Sequence, residues 1–114
     1  MSLSLPQLNA DLSTLTVSGF SAGAFTATQL QVAFSDRFQG AGIMAGGAYW
    51  VYASSMETGE MPNDISVQTL TDKADDLAIA GKIADTANLK DKPIYLSSMS
   101  KDLTVDPKLV QKNQ

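Results

Sequence analysis

Two residue types are absent from this sequence: none of its 114 residues is cysteine or histidine. Without cysteine the chain has no disulfide, no zinc–thiolate site and no thiol nucleophile. Without histidine it lacks the imidazole that usually takes the proton from a nucleophilic serine. Serine chemistry at this chain would therefore depend on a base that these 114 residues do not contain.

Long apolar runs and concentrated positive charge are also missing. No run of eighteen apolar residues occurs, so we expect no membrane-spanning segment, and the first twelve residues lack the basic and apolar regions of a signal peptide. The net charge is -4 and the basic residues are scattered, which argues against binding to nucleic acid or to a membrane surface. We also predict neither a metal nor a cofactor.

What remains is typical of a small globular domain. Apolar residues make up 44% of the chain and charged residues 18%, and 114 residues fit one domain at most. Periodicity and turn residues predict, in order, a strand at 12–18, a helix at 21–35, a strand at 40–45, a long loop at 48–64, a helix within 66–87, a strand at 94–98 and a helix from Pro107 with Asp106 as its N-cap.

This order predicts an α/β fold, a parallel β-α-β-α-β sheet with flanking helices. We expect the second strand to be buried on both faces, as parallel strands usually are. A sheet of three strands leaves its edges exposed, so a homodimer that pairs these edges is a candidate assembly.

The most informative stretch is Gly19-Phe20-Ser21-Ala22-Gly23, which lies between the first predicted strand and the first predicted helix. A serine flanked by glycines two residues away on each side, at a strand-to-helix turn, is typical of a nucleophile elbow. We expect both glycines to be needed because a Cβ at either position would clash. The N–H of Ala22 would then face a developing oxyanion at the helix N-terminus. The alternative is an ordinary βα turn, where glycine and serine are also common.

Two further groups follow predicted strands. Asp102 lies four residues beyond Ser98, where a catalytic acid could follow the third strand, although an ordinary turn residue is the alternative. Asp106 is better explained as a helix cap. Tyr49 and Trp50 follow the second strand and could line a substrate cleft, or they could close the edge of the core.

The segment from Thr16 to Trp50, TVSGFSAGAFTATQLQVAFSDRFQGAGIMAGGAYW, resembles the nucleophile region of the poly(3-hydroxybutyrate) depolymerases of the α/β-hydrolase superfamily. The similar family pattern is V-S-G-x-S-[SA]-G-x, then A-x-Q-L-x-V-A-x-S-D, then G-x-x-x-G-G-x-Y. A looser similarity continues through Lys92-Pro93-Ile94-Tyr95 to 100–105, which resembles S-x-D-x-x-V.

This resemblance implies a partial α/β-hydrolase domain with Ser21 as the nucleophile, Asp102 as the acid of the triad and Ala22 as one oxyanion donor. It implies hydrolysis of poly- or oligo(3-hydroxyalkanoate) esters through an acyl-serine intermediate, in a secreted or periplasmic enzyme. In the circularly permuted branch of the family, the histidine and the second oxyanion donor lie further along than the acid. We therefore expect the chain to correspond to the N-terminal portion of such an enzyme and to be inactive, or nearly so, alone.

The chain departs from the family pattern at three points. The family often has a cysteine pair in the loop after Gly47, where this chain has Val51 and Tyr52, and it usually has glycine where Met99 stands. The third departure is the missing histidine. The alternative interpretation is a non-catalytic α/β remnant that self-associates through its sheet edges.

Overall fold

A computed structural model describes residues 3–114 of the chain. The strands are β1 (Thr16–Phe20), β2 (Gly40–Met44) and β3 (Ile94–Ser97), and the α-helices are α1 (Ala22–Ala33), α2 (Val51–Thr58), α3 (Val67–Ile79) and α4 (Pro107–Gln111). Two 3-10 turns, Leu12–Thr14 and Thr86–Leu89, complete the regular structure of this part of the chain.

The three strands form one parallel sheet in the order β1-β2-β3. Val17 lies opposite Ala41, and Ile43 lies opposite Leu96. Each connection moves to the next strand in the same direction, and right-handed crossovers of this kind place their helices on the same face of a sheet. The predicted α/β fold with three parallel strands is confirmed.

Small side chains bring α1 close to the sheet. Ala24 and Ala27 of α1 pack against Ala41 and Ile43 of β2, and the side chain of Ile43 is completely buried. Because alanine adds only a methyl group, the helix backbone approaches the strands closely. This packing fixes the position of the N-terminus of α1 relative to the ends of β1 and β2.

A second apolar cluster joins the later helices. Its buried members are Ala48, Val51, Ile65, Leu70, Val105 and Leu109, and Phe25 of α1 packs against it. The helix predicted within 66–87 is present as α3, and its Leu70 and Ala74 are both buried. The predicted cap of α4 is also confirmed, since the carboxylate of Asp106 accepts a hydrogen bond from the N–H of Lys108 at 2.9 Å.

The first strand begins later than the sequence predicts. Leu12–Thr14 is a 3-10 turn, and β1 starts only at Thr16. The carboxylate of Asp11 accepts hydrogen bonds from the N–H and the hydroxyl of Ser13, at 3.0 and 2.6 Å. This local capping stabilises a turn where the apolar pattern predicts extended chain.

The loop predicted at 48–64 contains α2. The helix begins after Trp50, which has left-handed backbone angles, and it ends at Gly59, which is left-handed with φ of 79°. No side chain caps its N-terminus, and its sequence, VYASSMET, carries no clear apolar face. The sequence therefore carries no local signal for this helix, whose Val51 and Ser54 are buried in the fold.

The second strand is not buried on both faces, as the sequence predicts. Ala41 and Ile43 are covered by α1, but the other face of the sheet presents Phe20, Met44 and Tyr95, which are 71%, 36% and 64% exposed. The same-direction crossovers explain the difference, because they leave this face without a helix layer. Among residues 3–114, no helix is long and apolar enough to cross a membrane.

Candidate active site

Ser21 is the one residue between the end of β1 and the start of α1. Its backbone angles are φ 55° and ψ -122°, a region that residues other than glycine rarely adopt. Its N–H donates a hydrogen bond to the carbonyl of Met44 at 2.9 Å, which continues the β1–β2 ladder by one step. The chain is thus held in a strained turn at the point where the strand becomes a helix.

The hydroxyl of Ser21 does not serve as a helix cap. Serine at this position usually accepts a hydrogen bond from a backbone N–H of the first turn, but Ser21 makes no such bond. The N–H of Ala22 occupies the first helical position, where it has no intrahelical acceptor. A hydroxyl and an unused N–H therefore lie side by side at the positive end of the helix dipole.

Gly19 makes this turn possible. A Cβ built on Gly19 would lie 2.1 Å from the carbonyl oxygen of Gly23 and 2.7 Å from the backbone nitrogen of Ala24. No side chain fits there, since the obstructing atoms belong to the backbone. The steric expectation therefore holds at the first glycine of the motif.

The same expectation is wrong at Gly23. A Cβ on Gly23 would meet no atom within 4 Å among the described residues outside its own helix, and the residue is exposed. Its backbone angle φ is not positive, so alanine is sterically allowed. The two glycines of the motif therefore differ. A Cβ on Gly19 would collide with the backbone of Gly23, whereas Gly23 itself has room for a side chain.

A second pair of glycines positions α1 from the side of β2. A Cβ on Gly46 would lie 2.6 Å from the Cβ of Ala24, and a Cβ on Gly47 would lie 2.4 Å from the Cε1 atom of Phe25. The loop after β2 therefore passes directly against the first turn of α1. Only the Gly-Gly doublet in the sequence signals this contact.

The carboxyl ends of the three strands meet at one edge of the sheet. The N–H of Ala45, just after β2, donates to the carbonyl of Ser97 at 2.8 Å, as the N–H of Ser21 does to Met44. Neighbouring strands lie about 4.8 Å apart, so the segments that follow β1 and β3 are separated by about 10 Å, with the end of β2 between them. Ser21 and the loop that carries Asp102 therefore share this edge.

Asp102 forms a tight turn within that loop. Its Oδ1 atom accepts hydrogen bonds from the N–H groups of Val105 at 3.0 Å and Thr104 at 2.9 Å. These two bonds hold the pKa of Asp102 below its ordinary value, because they stabilise the carboxylate. Within residues 3–114 the Oδ2 atom of Asp102 takes part in neither of these bonds, so it can accept a hydrogen bond from another donor. Asp106, the rival acid, caps α4 and binds the amide of Asn63 at 2.7 Å.

Tyr49 and Trp50 have different surroundings. Tyr49 is buried against Val32 and Ala74, and burial raises the pKa of its hydroxyl. The indole N–H of Trp50 donates to the carboxylate of Glu57 at 3.4 Å. Trp50 also lines an apolar pocket between α1 and α2 that Tyr49 does not reach. The two aromatics therefore line different spaces, since Tyr49 lines a separate pocket that includes Val32 of α1 and Leu70 of α3.

No group of three or more acidic side chains that could hold a metal occurs within residues 3–114. The pocket beside Trp50 was not predicted from the sequence. Its walls, Phe25 and Tyr52, come from two helices, and one of those helices falls in a predicted loop.

Two curated proteins similar to this chain are both named as depolymerases of polyhydroxybutyrate. The chain is 38% identical over 109 residues to "Poly(3-hydroxybutyrate) depolymerase" of Delftia acidovorans and 37% identical over 108 residues to "Polyhydroxybutyrate depolymerase" of Talaromyces funiculosus. These alignments cover 90% and 93% of the chain. The chain is homologous to a part of the poly(3-hydroxybutyrate) depolymerases. No protein-family model matches it.

Solved depolymerase structures share its fold. A PHB depolymerase from Penicillium funiculosum superposes with a TM-score of 0.80 at 35% identity, and a serine-to-alanine variant of a PHB depolymerase, complexed with an R3HB trimer, superposes with 0.81 at 34% identity. Each match covers 96% of this chain. The parallel sheet and its helices are therefore part of an α/β-hydrolase fold.

The chain corresponds to a minor part of each depolymerase. It spans 22% and 32% of the length of the two curated relatives, and 35% of each solved chain.

The asymmetry of the two motif glycines predicts opposite effects of the same substitution. Gly19→Ala should destabilise the chain by more than about 2 kcal/mol, because its Cβ overlaps backbone atoms. Gly23→Ala should stabilise it by about 0.5–1 kcal/mol, because alanine is the better helix residue and meets no obstacle. Urea unfolding followed by circular dichroism measures both. Equal effects of the two substitutions would contradict this account of the turn.

Proposed function

We propose that this chain carries the nucleophile and the acid of a serine esterase that hydrolyses poly- or oligo(3-hydroxyalkanoate) esters. The observation that carries the proposal is the backbone of Ser21, held at φ 55° between β1 and α1 by the close approach of Gly19 and Gly23. The names of the homologous depolymerases support the reaction class, and the R3HB trimer bound to one solved relative supports the substrate class.

In the proposed first step, the Oγ atom of Ser21 attacks the carbonyl carbon of the ester. A new C–O bond forms, the carbonyl π electrons move to oxygen, and a base takes the hydroxyl proton. The N–H of Ala22 stabilises the resulting oxyanion. When the tetrahedral intermediate collapses, the alcohol leaves with the proton from the base, and the acyl group remains on Ser21. Water then attacks the acyl carbon while the base takes a proton from it. The acid is released when the C–O bond to Ser21 breaks and the Oγ atom regains a proton from the base.

Asp102 is proposed to orient that base. Its Oδ1 atom is already occupied by the N–H groups of Thr104 and Val105, which fix the plane of the carboxylate. The Oδ2 atom would accept a hydrogen bond from one N–H of an imidazole whose other nitrogen faces the hydroxyl of Ser21. A carboxylate held in this way sets the imidazole tautomer and stabilises the imidazolium that forms.

The base itself has to come from outside these residues, since the sequence contains no histidine. We therefore propose that residues 1–114 form one partial domain that lacks most activity alone. Ser21 and the Ala22 N–H would retain only weak catalysis from oxyanion stabilisation. The expected secreted or periplasmic location belongs to the same proposal.

A chimera tests the function directly. The aligned segment of the Talaromyces funiculosus depolymerase is replaced by this chain, which supplies Ser21 and Asp102 while the host supplies the remainder. We expect the chimera to release soluble products from a polyhydroxybutyrate suspension, and Ser21→Ala to lower the rate by at least about 10⁴-fold.

Ser18→Ala is the matched control, because Ser18 is an exposed serine of β1 three residues earlier. It should leave the rate of the chimera within about twofold. A folded chimera whose rate is insensitive to Ser21→Ala would exclude Ser21 as the nucleophile. Turnover of a p-nitrophenyl ester by the chain alone, abolished by Ser21→Ala, would exclude the proposed inactivity.

A second candidate function, self-association without catalysis, is favoured by the exposed surface of the chain. Its accessible area is 7705 Å², whereas a monomeric protein of this mass exposes about 6,000 Å². Part of the difference comes from the extended lead-in with Leu3 and Leu5, and part from Phe20 and Tyr95 on the uncovered face of the sheet. Stable interfaces bury about 800 Å² on each partner, so enough surface is available for a homodimer.

Sedimentation velocity distinguishes this candidate. If two copies pair through an edge of the sheet, the chain should sediment as a dimer, and Tyr95→Glu on the edge strand β3 should return it to a monomer because a charge would lie at the interface. Ile79→Glu, on the exposed side of α3, should leave the dimer intact. A monomer at all concentrations would exclude self-association.

A further inference from the structure

A pocket of about 530 Å³ lies between α1 and α3. Its apolar wall includes Val32 of α1 and Leu70 and Ala74 of α3. Val32 follows Ser21 by eleven residues, which corresponds to about 16 Å along a helix. This space, which we call the Tyr49 pocket after a residue that lines it, is therefore separate from the nucleophile turn.

Tyr49 brings a hydroxyl group without a hydrogen-bond partner to this pocket. The residue is only 8% exposed. Within residues 3–114 its hydroxyl takes part in no hydrogen bond, and burial is what raises its pKa. In the same part of the chain every fully enclosed side-chain polar atom has a partner, so the Tyr49 hydroxyl borders open space. Buried polar groups normally have partners, and this hydroxyl is therefore available to a ligand.

Two carboxylates stand at the polar end of the Tyr49 pocket. Asp75, Asp85 and Thr86 line it and also line a neighbouring pocket of about 320 Å³, so they lie where the two spaces meet. The Oδ1 atom of Asp75 accepts the hydroxyl of Thr86 at 2.7 Å, and the Oδ1 atom of Asp85 accepts the N–H of Ala87 at 2.9 Å. These bonds leave the second oxygen of each carboxylate unused. Among the described residues neither aspartate forms an ion pair.

The basic residue in the lining of the Tyr49 pocket does not neutralise these carboxylates. The Nζ atom of Lys112 donates instead to the backbone carbonyl of Ile65 at 2.7 Å. The polar end of the pocket thus carries two negative charges against one positive charge that is already hydrogen-bonded. A cationic ligand is attracted to such a site and an anionic ligand is repelled, and hydrogen bonds between ions are stronger than those between neutral groups.

We propose that the Tyr49 pocket binds a small organic cation, namely a primary ammonium group on an apolar body. An ammonium group has three N–H donors, which match the second oxygens of Asp75 and Asp85 and the lone pairs of the Tyr49 hydroxyl. Asp75 directly follows Ala74, which packs in one cluster with Tyr49. The acidic and the phenolic groups therefore border the same stretch of α3.

The apolar body of the ligand lies against Val32 and Leu70. The volume of the pocket is within the range of about 300–1,000 Å³ that is typical of small-molecule sites. This proposal does not depend on the proposed esterase function, since it concerns the other end of α1 and a ligand of different charge.

Three probes with the same body and different head groups test the charge of the ligand. The 114-residue chain is titrated at pH 7 with 4-phenylbutylammonium, 4-phenylbutan-1-ol and 4-phenylbutanoate, and the heat of binding is measured by calorimetry. We expect saturable binding of the ammonium compound at one site, with a dissociation constant at least about tenfold lower than that of the alcohol. The carboxylate should show no saturable binding.

Asp75→Asn tests the carboxylate. Asparagine keeps an oxygen that can accept the hydroxyl of Thr86 and removes the charge, so the fold should persist while the dissociation constant of the ammonium compound rises about tenfold. Asp76→Asn is the matched control, because Asp76 is the exposed next residue of α3 and does not line the pocket. It should leave the dissociation constant unchanged.

Tyr49→Phe tests the hydroxyl. It should raise the dissociation constant of the ammonium compound about threefold. It should not lower the melting temperature of the free chain, because the hydroxyl has no partner to lose. Tyr52→Phe is the matched control, since Tyr52 lines the other aromatic pocket, and it should bind the ammonium compound as the unchanged chain does.

The proposal is overturned if the ammonium compound does not saturate, or if the alcohol or the carboxylate binds as tightly. It is also overturned if Asp75→Asn and Asp76→Asn bind alike, or if Tyr49→Phe lowers the melting temperature and leaves the dissociation constant unchanged. Ser21→Ala should leave the titration unaltered. A changed dissociation constant in that variant would place the ammonium compound at the nucleophile turn and exclude the Tyr49 pocket.

Discussion

The close approach of two backbone segments determines the geometry of the candidate site. The end of β1 at Gly19 meets the carbonyl of Gly23 in the first turn of α1, with no room for a side chain between them. At this contact Ser21 has a positive φ, and its hydroxyl makes no helix-capping hydrogen bond. The glycine pair after β2 then fixes the same helix from a second side. Backbone strain at one residue is maintained because the packing around it leaves no alternative.

Those features of the fold that depend on local chemistry were predictable from the sequence. The strand-to-helix turn at Ser21, the helix α3 and the Asp106 cap each follow from a short pattern, and each is present. The parallel order of the three strands follows from the alternation of strands and helices. The roles of Ser21, Ala22 and Asp102 in catalysis stay predictions.

Features that depend on tertiary packing were not predictable. Helix α2 lacks a cap and an apolar stripe, and its contacts with distant residues stabilise it. The 3-10 turn at Leu12 forms because one carboxylate, that of Asp11, binds two groups of Ser13. The space beside Gly23 depends on which side of the helix faces the sheet. The pocket between Phe25 and Tyr52 also depends on tertiary packing, since its walls come from two helices.

Labelling with an organophosphate tests the central claim, that the strained turn makes Ser21 a nucleophile, most directly. The chimera with the Talaromyces funiculosus depolymerase is treated with diethyl p-nitrophenyl phosphate until activity is lost, digested, and mapped by mass spectrometry. The account predicts one diethylphosphoryl group on Ser21, and no modification of this residue in the Ser21→Ala variant. Loss of activity with the label on another residue, while Ser21 stays unmodified, would contradict it.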